Sequence, residues 1–151
     1  MSFNIVLIEP EIPNNTGNIG RLSLAAGCNL HLVRPLGFDI DDSKVKRAGL
    51  DYWKHLSLQI YDNTATFFEM HQDKKMVFLS SHGTKNYTSI KYEKDMFLVF
   101  GKESVGLGES IINDNKEKLF HIPIFNSRIR SLNLANSVAI IIYEGIRSIN
   151  Q

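Results

Sequence analysis

The chain has 151 residues, of which 43% are apolar and 22% charged, proportions that fit a globular protein and exclude disorder as the main state. A net charge of +1 counts against a dedicated nucleic-acid protein, which is usually more basic, and leaves room for a local basic patch. The single cysteine, Cys28, excludes an intrachain disulfide and a zinc site built from several cysteines.

No linker, repeat or low-complexity tract divides the sequence, so we assign residues 1–151 to one domain. No apolar run approaches the roughly 20 residues that a membrane helix needs. The first four residues do not begin a basic and then apolar leader. We therefore expect a cytoplasmic protein that does not contact a membrane.

Apolar runs typical of strands alternate with helical patterns along the chain. Residues 4–8 form a continuous β-branched run, as expected of a strand covered on both faces. The two prolines in residues 9–13 argue against regular structure there. Further strands are predicted at 30–33, 58–61, 76–79, 96–100 and 119–122, and helices at 15–26, 64–71 with Asn63 as cap, and 132–149; residues 34–53 read as a long loop with a short helix. This alternation predicts an α/β fold, a mostly parallel sheet flanked by helices.

The last predicted helix carries apolar residues nearly all the way round between Leu132 and Tyr143. A surface helix would show a single apolar stripe. We therefore predict that it is buried on both sides, either inside the domain or against a second subunit. In so short a chain the second arrangement is favoured, and a homodimer is predicted.

The first unusual loop follows the first strand and opens a helix, with the sequence Asn14-Asn15-Thr16-Gly17-Asn18-Ile19-Gly20-Arg21. Free N–H groups at a helix start favour an anion such as phosphate. Asn14, Asn18 and Arg21 share one face by their spacing. The helix dipole disfavours a positive side chain such as Arg21 near a helix start, which indicates a role in binding or catalysis. A capped helix with a surface arginine is the alternative.

Two more unusual loops follow later strands. The second, Gly101-Lys102-Glu103-Ser104-Val105-Gly106-Leu107-Gly108, allows close approach of backbone to a ligand, yet it matches neither the P-loop nor the dinucleotide fingerprint. The third runs from Ile122 to Asn136 into the apolar helix, which Ser131 or Asn133 can cap. A glycine-rich turn and plain capping are the respective alternatives.

Other polar residues carry weaker signals. The five histidines show no metal-ligand spacing, so we expect structural or exposed histidines and no bound metal. Cys28 reads as a small core residue. Lys44, Lys46, Arg47 and Lys54 are candidates for a basic patch, with ordinary solvated side chains as the alternative.

Taken together and in this order, the three loops resemble the three motifs of the SPOUT class of RNA methyltransferases. The motifs read Asn15-x-Gly17-x-x-x-Arg21, Gly101-x-Glu103-x-x-Gly106, and Ile122-Pro123 through Ser131-Leu132-Asn133-Leu134-Ala135-Asn136. Residues 5–18, 47–53 and 143–144 are similar to the short tRNA (cytidine/uridine) wobble-position 2′-O-methyltransferases. The likeness covers nearly the whole chain.

The resemblance implies a C-terminal deep trefoil knot, a homodimer, and S-adenosylmethionine bound in the knot and converted to S-adenosylhomocysteine. The substrate it implies is the wobble nucleotide, cytidine or modified uridine, in the anticodon arm of leucine tRNAs. Implied cofactor-binding residues are Leu79, Ser80, Ser81, Gly101, Glu103, Ile122, Ile124, Ser131, Leu132 and Asn133. Implied catalytic residues are Arg21 and Asn133, and implied substrate-binding residues are Asn15, Asn18, Arg21, Arg128 and Arg130.

One stretch departs from the subfamily. The third loop is one residue longer than usual between Asn126 and Arg130, so either Arg128 or Arg130 can align with the family's arginine. An arginine stays protonated in proteins, so Arg21 would orient a phosphate that accepts the proton or would stabilise the developing alkoxide. Two alternatives are a non-catalytic RNA-binding protein with this fold and a small Rossmann-like or flavodoxin-like nucleotide-binding enzyme.

Overall fold

The structure is a computed structural model that describes residues 3–150 and, for residues 49–51, the backbone alone. Met1, Ser2 and Gln151, which belong to the predicted single domain, lie outside the described residues. The strands are β1 (Asn4–Ile8), β2 (Asn29–Val33), β3 (Leu58–Tyr61), β4 (Met76–Leu79), β5 (Lys85–Asn86), β6 (Phe97–Phe100) and β7 (Leu119–His121). The helices are α1 (Pro13–Ala25), α2 (Ser43–Gly49), α3 (Thr64–Met70), α4 (Glu109–Asp114) and α5 (Leu134–Ile149), with 3₁₀ helices at Leu50–His55, Tyr87–Ser89 and Lys116–Lys118.

All the strands lie in one sheet in the order β3-β2-β1-β6-β4-β7-β5, and every neighbouring pair is parallel. At its centre β1 pairs with β2 on one side and with β6 on the other. The structure confirms the predicted α/β fold with a parallel sheet flanked by helices. Because the strands are parallel, the loops that follow them all leave from the same edge of the sheet.

Strand β1 is buried on both faces, as the sequence predicts. Alternate residues of β1 point to opposite sides of the sheet. Ile5 and Leu7 join a core that includes residues of α1 and α5, and Val6 and Ile8 join a second core that includes residues of α3 and α4. Two layers of helices thus cover the sheet and leave its carboxyl edge for the loops.

The start of α1 differs from the sequence prediction. The helix begins at Pro13 rather than at Asn15, because proline fits the first helical position, where its missing N–H group needs no partner. The prolines therefore exclude regular structure only up to Ile12. Arg21 consequently lies in the second half of α1, where the helix dipole does not disfavour a positive charge, so that prediction is wrong.

Other boundaries agree closely with the sequence. Asn63 caps α3 and accepts a hydrogen bond from the Thr66 N–H at 2.8 Å, as predicted. Of the two candidate caps for α5, Asn133 is the one used, and the helix begins at Leu134 rather than at residue 132. The two-residue strand β5 and the short helix α4 carry no clear sequence signal and were not predicted.

Within this chain α5 is buried along one face only. Val138, Ile141 and Ile142 pack into the core, whereas Tyr143 is 49% exposed. Burial on both sides inside the domain is therefore not found, and burial of the outer face against a second subunit stays a prediction. Among the helices that the structure describes, none has the length and apolar character needed to cross a membrane.

Candidate functional site

The loops singled out in the sequence meet at the carboxyl edge of the sheet. The central strands β1, β6, β4 and β7 are neighbours, and they are followed by residues 9–12, 101–108, 80–84 and 122–133. In an open α/β sheet this edge, at a point where the strand order is not sequential, is where ligands bind. The structure therefore brings the three predicted loops to one place.

Glu103 joins the second loop to the first. Its two carboxylate oxygens accept hydrogen bonds from the backbone N–H groups of Glu11 at 2.8 Å and Ile12 at 2.9 Å, and from the Asn15 carboxamide at 3.2 Å. The carboxylate thus lies at the N-terminus of α1, where a negative charge is stabilised. The chain's own Glu103 takes a position that the sequence analysis assigned to a bound anion.

A second carboxylate makes the reciprocal contact. One oxygen of Glu11 accepts hydrogen bonds from the Ser104 hydroxyl at 2.7 Å and from the Ser104 N–H at 2.8 Å, and these bonds lower the pKa of Glu11. Beside them Lys102 forms an ion pair with Glu9 at 3.0 Å. Glu9 has a φ of 51°, a left-handed conformation that costs a non-glycine residue about 1 kcal/mol and that is concentrated at functional sites. Each loop therefore contributes a carboxylate that accepts hydrogen bonds from the other loop. We call these contacts of Glu103 and Glu11 the clasp.

Asn15 connects this clasp to the third loop. Its side chain is 7% exposed, and while its Nδ2 donates to Glu103, its Oδ1 accepts a hydrogen bond from the Asn133 Nδ2 at 3.1 Å. Asn133 Oδ1 in turn accepts from the Asn136 N–H at 3.3 Å and caps α5. One buried carboxamide thus links all three loops, and Asn133 serves as a cap and as a partner of Asn15.

The second loop folds back on itself beside the clasp. Lys102 and Gly106 exchange backbone hydrogen bonds of 2.9 and 3.2 Å. A Cβ atom at Gly101 would lie 2.1 Å from the Gly106 carbonyl carbon, so this approach requires glycine. Gly106 has a φ of 74° and Gly108 a φ of 88°, and a Cβ atom at either would meet no heavy atom within 4 Å among the described residues. The loop therefore leaves open space next to Gly106 and Gly108.

The predicted cofactor residues outside the second loop lie at the ends of β4 and β7 or in the loops that follow these strands. Leu79 is buried at the end of β4, and Ile122, Ile124 and Leu132 are half-buried. The main-chain N–H and C=O groups of Ile122, Ile124 and Leu132 make no hydrogen bond with other described residues. Ser80 donates its N–H to the Phe120 carbonyl at 2.9 Å, and the side chains of Ser81 and Ser131 are exposed. Apolar side chains with unpaired main-chain groups suit the recognition of a flat heterocycle.

Arg21 lies on the exposed face of α1 together with Asn14 and Asn18, as their spacing predicts. Its guanidinium carbon is 5.2 Å from the ring centroid of Tyr52, a cation–π contact that sequence reasoning missed. Helix α1 packs against α2, the helix that carries Lys44, Lys46 and Arg47. Part of the predicted basic patch is therefore carried by a helix that packs against the helix of Arg21.

The two arginines of the third loop are exposed, and the Arg128 N–H donates to the Asn126 side chain at 2.9 Å. None of the hydrogen bonds or ion pairs between described residues joins Arg128 or Arg130 to Asn15, Glu103 or Asn133. The residues that sequence reasoning missed are Glu9, Glu11, Lys102, Ser104 and Tyr52. Nothing in the local sequence marks these residues as functional, because their contacts form only between segments that the fold brings together.

The remaining polar clusters lie away from this edge. His31 is 4% exposed and contacts Tyr61 at 2.7 Å and Asn4 at 2.9 Å, and burial lowers its pKa to about 4. A cleft of about 320 Å³ next to it, lined by Asn4 and Asn29, lies at the amino edge of the sheet. Cys28 is buried, as predicted. Among the residues whose side chains the structure describes, no group of three or more His, Cys, Asp or Glu is placed to hold a metal ion.

Comparison with known proteins gives concordant similarities over nearly the whole chain. Residues 2–143 match the model of the SpoU rRNA Methylase family. A Saccharophagus degradans protein named tRNA (cytidine(34)-2′-O)-methyltransferase is 41% identical over 97% of this chain and 96% of its own. A protein of solved structure, described under the 2-OH methylation of C/U34 on tRNA, is 39% identical, with a TM-score of 0.93 over 99% of this chain and 97% of its own. An AdoMet-bound rRNA methyltransferase from Sinorhizobium meliloti is 26% identical, with a TM-score of 0.87 over 97% of this chain and 56% of its own. The chain therefore belongs to the SpoU rRNA methylase family.

Proposed function

We propose that the protein transfers a methyl group from S-adenosylmethionine to the ribose 2′-hydroxyl of the wobble nucleotide, position 34, of tRNA. One observation carries the proposal: a buried carboxamide, Asn15, ties all three motif loops together at the carboxyl edge of the sheet. The substrate follows from relatives of similar length named as tRNA cytidine-34 2′-O-methyltransferases, at about two-fifths identity to this chain.

The residues around the second and third loops fit the cofactor. The half-buried Ile122, Ile124 and Leu132 offer apolar surface and unpaired main-chain groups to an adenine, and Gly106 and Gly108 leave open space in the second loop. We assign Leu79, Ser80, Ser81, Gly101 and Ser131 to the same pocket. When bound, the cofactor supplies a sulfonium methyl group, so the chemistry needs no metal. Both carboxylate oxygens of Glu103 already accept hydrogen bonds from the first loop, so we propose that Glu103 holds the first and second loops together beside the pocket.

Arg21 is the proposed catalytic residue. It is exposed on α1, carries a fixed positive charge, and can orient a backbone phosphate that accepts the proton or stabilise the developing alkoxide. Asn133 lies between Asn15 and the start of α5, so its proposed part is to fix the third loop. Asn15 shares that role, and Asn18, Arg128 and Arg130, all exposed, are the proposed contacts to the anticodon arm.

The assembly is part of the proposal. We infer a homodimer because three large apolar side chains stay on the surface of the third loop and of the outer face of α5: Phe125 is 96%, Ile129 53% and Tyr143 49% exposed. The order β4-β7-β5, together with the packing of α5 on α1, supports a C-terminal knot. Sedimentation of the protein tests the dimer, and a monomeric Tyr143→Asp variant that methylates tRNA normally would exclude a functional dimer. A crystal structure of the complex with S-adenosylmethionine tests the knot and the pocket.

The leading test is calorimetric titration with S-adenosylmethionine and S-adenosylhomocysteine, with NADH and FMN as controls, followed by methyl transfer to bulk tRNA. We expect saturable binding of the adenosyl cofactors and a 2′-O-methylated nucleoside at position 34 of leucine tRNAs, located by nuclease digestion and mass spectrometry. Binding without transfer to any tRNA would favour the non-catalytic RNA-binding alternative. Binding of NADH or FMN would favour the Rossmann-like alternative. A cytoplasmic location, where tRNA is modified, belongs to the same proposal.

A further inference from the structure

Arg21 lies against the face of an aromatic ring that stays partly exposed outside the hydrophobic core. The guanidinium carbon is 5.2 Å from the centroid of Tyr52, within the ~6 Å range of a cation–π contact. The Tyr52 side chain is 40% exposed. We propose that Tyr52 is a positioning residue that holds the Arg21 guanidinium for methyl transfer, an inference that rests on the function proposed above.

The ring is fixed by the packing of its own segment on α1. Tyr52 and Trp53 are neighbours in the 3₁₀ helix Leu50–His55. A Cβ atom at Gly20 would come 2.8 Å from the Trp53 ring, so glycine is what lets the indole lie so close to the helix. Because Gly20 directly precedes Arg21, the docked segment brings the Tyr52 ring to the guanidinium.

The arrangement matters because of the length of the arginine side chain. An exposed arginine rotates about several bonds and samples many positions, which dilutes any one productive geometry. Contact with the face of a ring restricts these motions and leaves the N–H groups that point away from the ring able to contact a phosphate or an alkoxide. Tyr52 therefore acts through Arg21 and needs no contact of its own with the reacting atoms.

A pair of substitutions separates this role from a structural one. In Tyr52→Leu we expect kcat for tRNA methylation to fall about fivefold, the equivalent of about 1 kcal/mol for one exposed cation–π contact. The KM for tRNA and the affinity for S-adenosylmethionine should stay at wild-type values. Tyr52→Phe keeps the ring and should restore kcat. Met70→Ala, which removes an even more exposed side chain from α3, is the matched control for stability and activity.

A readout independent of activity completes the test. The ring current of Tyr52 should shift the Arg21 Nε–Hε resonance in NMR spectra, and the shift should disappear in Tyr52→Leu and persist in Tyr52→Phe. An unchanged kcat or an unchanged Arg21 resonance in Tyr52→Leu would overturn the proposal. A raised KM for tRNA at constant kcat would also overturn it and would assign the ring to stacking on an RNA base. If the wild-type protein methylated no tRNA, the proposed function would fail while the resonance still reported the stacked pair.

Discussion

Replacing Glu103 with glutamine perturbs the clasp between the first two loops at its centre. The carboxylate accepts three hydrogen bonds, from the N–H groups of Glu11 and Ile12 and from the carboxamide of Asn15. Glutamine keeps one acceptor oxygen and places an NH₂ group against a donor. At least one N–H group therefore loses its partner, and the negative charge at the start of α1 is removed.

The magnitude follows from these two losses. A hydrogen bond to a charged group contributes about 1.5–3 kcal/mol. A negative charge at a helix N-terminus contributes about 0.5–1 kcal/mol more. Glu103→Gln should therefore lower the free energy of unfolding by about 2–4 kcal/mol, a large fraction of the roughly 5–15 kcal/mol that stabilises a typical domain.

Urea unfolding with linear extrapolation measures this loss, and an unchanged slope would show that the unfolded state is unaffected. Glu69→Gln, which removes an exposed carboxylate from α3, is the matched control. A loss no larger than in the control would refute the clasp. If Glu103→Gln kept its stability and lost affinity for S-adenosylmethionine, Glu103 would instead be a direct cofactor contact.

Three further predictions concern catalysis, the second loop and the core. Arg21→Ala should abolish methyl transfer to tRNA while calorimetry gives wild-type affinity for S-adenosylmethionine, and equal loss of both would show a folding role. Gly101→Ala should lose cofactor binding and lower the melting temperature, because its Cβ would collide with the Gly106 carbonyl carbon 2.1 Å away; a wild-type melting temperature would contradict this. Burial lowers the pKa of His31 from 6.5 to about 4, so the unfolded state gains a proton first as the pH falls. The stabilisation is therefore complete above pH 6.5 and is lost toward pH 4, by about 2 kcal/mol between pH 7 and pH 5. Urea unfolding at both pH values should show a smaller loss in His31→Gln, and an equal loss would refute the assignment.

Strands were the part of the fold that local pattern predicted best. The run at residues 4–8 is continuous and β-branched because both faces of β1 are buried, and its bounds agree with the structure. Helix α1 began earlier than predicted because proline was interpreted as a breaker instead of a first helical residue. Strand β5 has two residues, Lys85 and Asn86, both exposed, so no hydrophobic pattern could reveal it.

The sequence predicted individual residues and loops of the site but not the contacts between them. Spacing placed Arg21 on a polar face, and the family resemblance brought three separated loops together. The exchange between Glu11 and Ser104 depends on how the loops after β1 and β6 face each other, because the two residues are 93 positions apart. The contact of Tyr52 with Arg21 likewise follows from the docking of a 3₁₀ helix that has no strong local signal.

The link between Asn15 and Asn133 spans 118 residues and so bears on the order of events during folding. A nascent chain can pair its first strands early, but the link that fixes the third loop must wait until residue 133 has been synthesised and α5 has docked. Contacts of such high sequence separation form slowly, as do parallel sheets. The link between Asn15 and Asn133 therefore belongs to the late steps of folding, and the three loops that it joins reach their final arrangement only then.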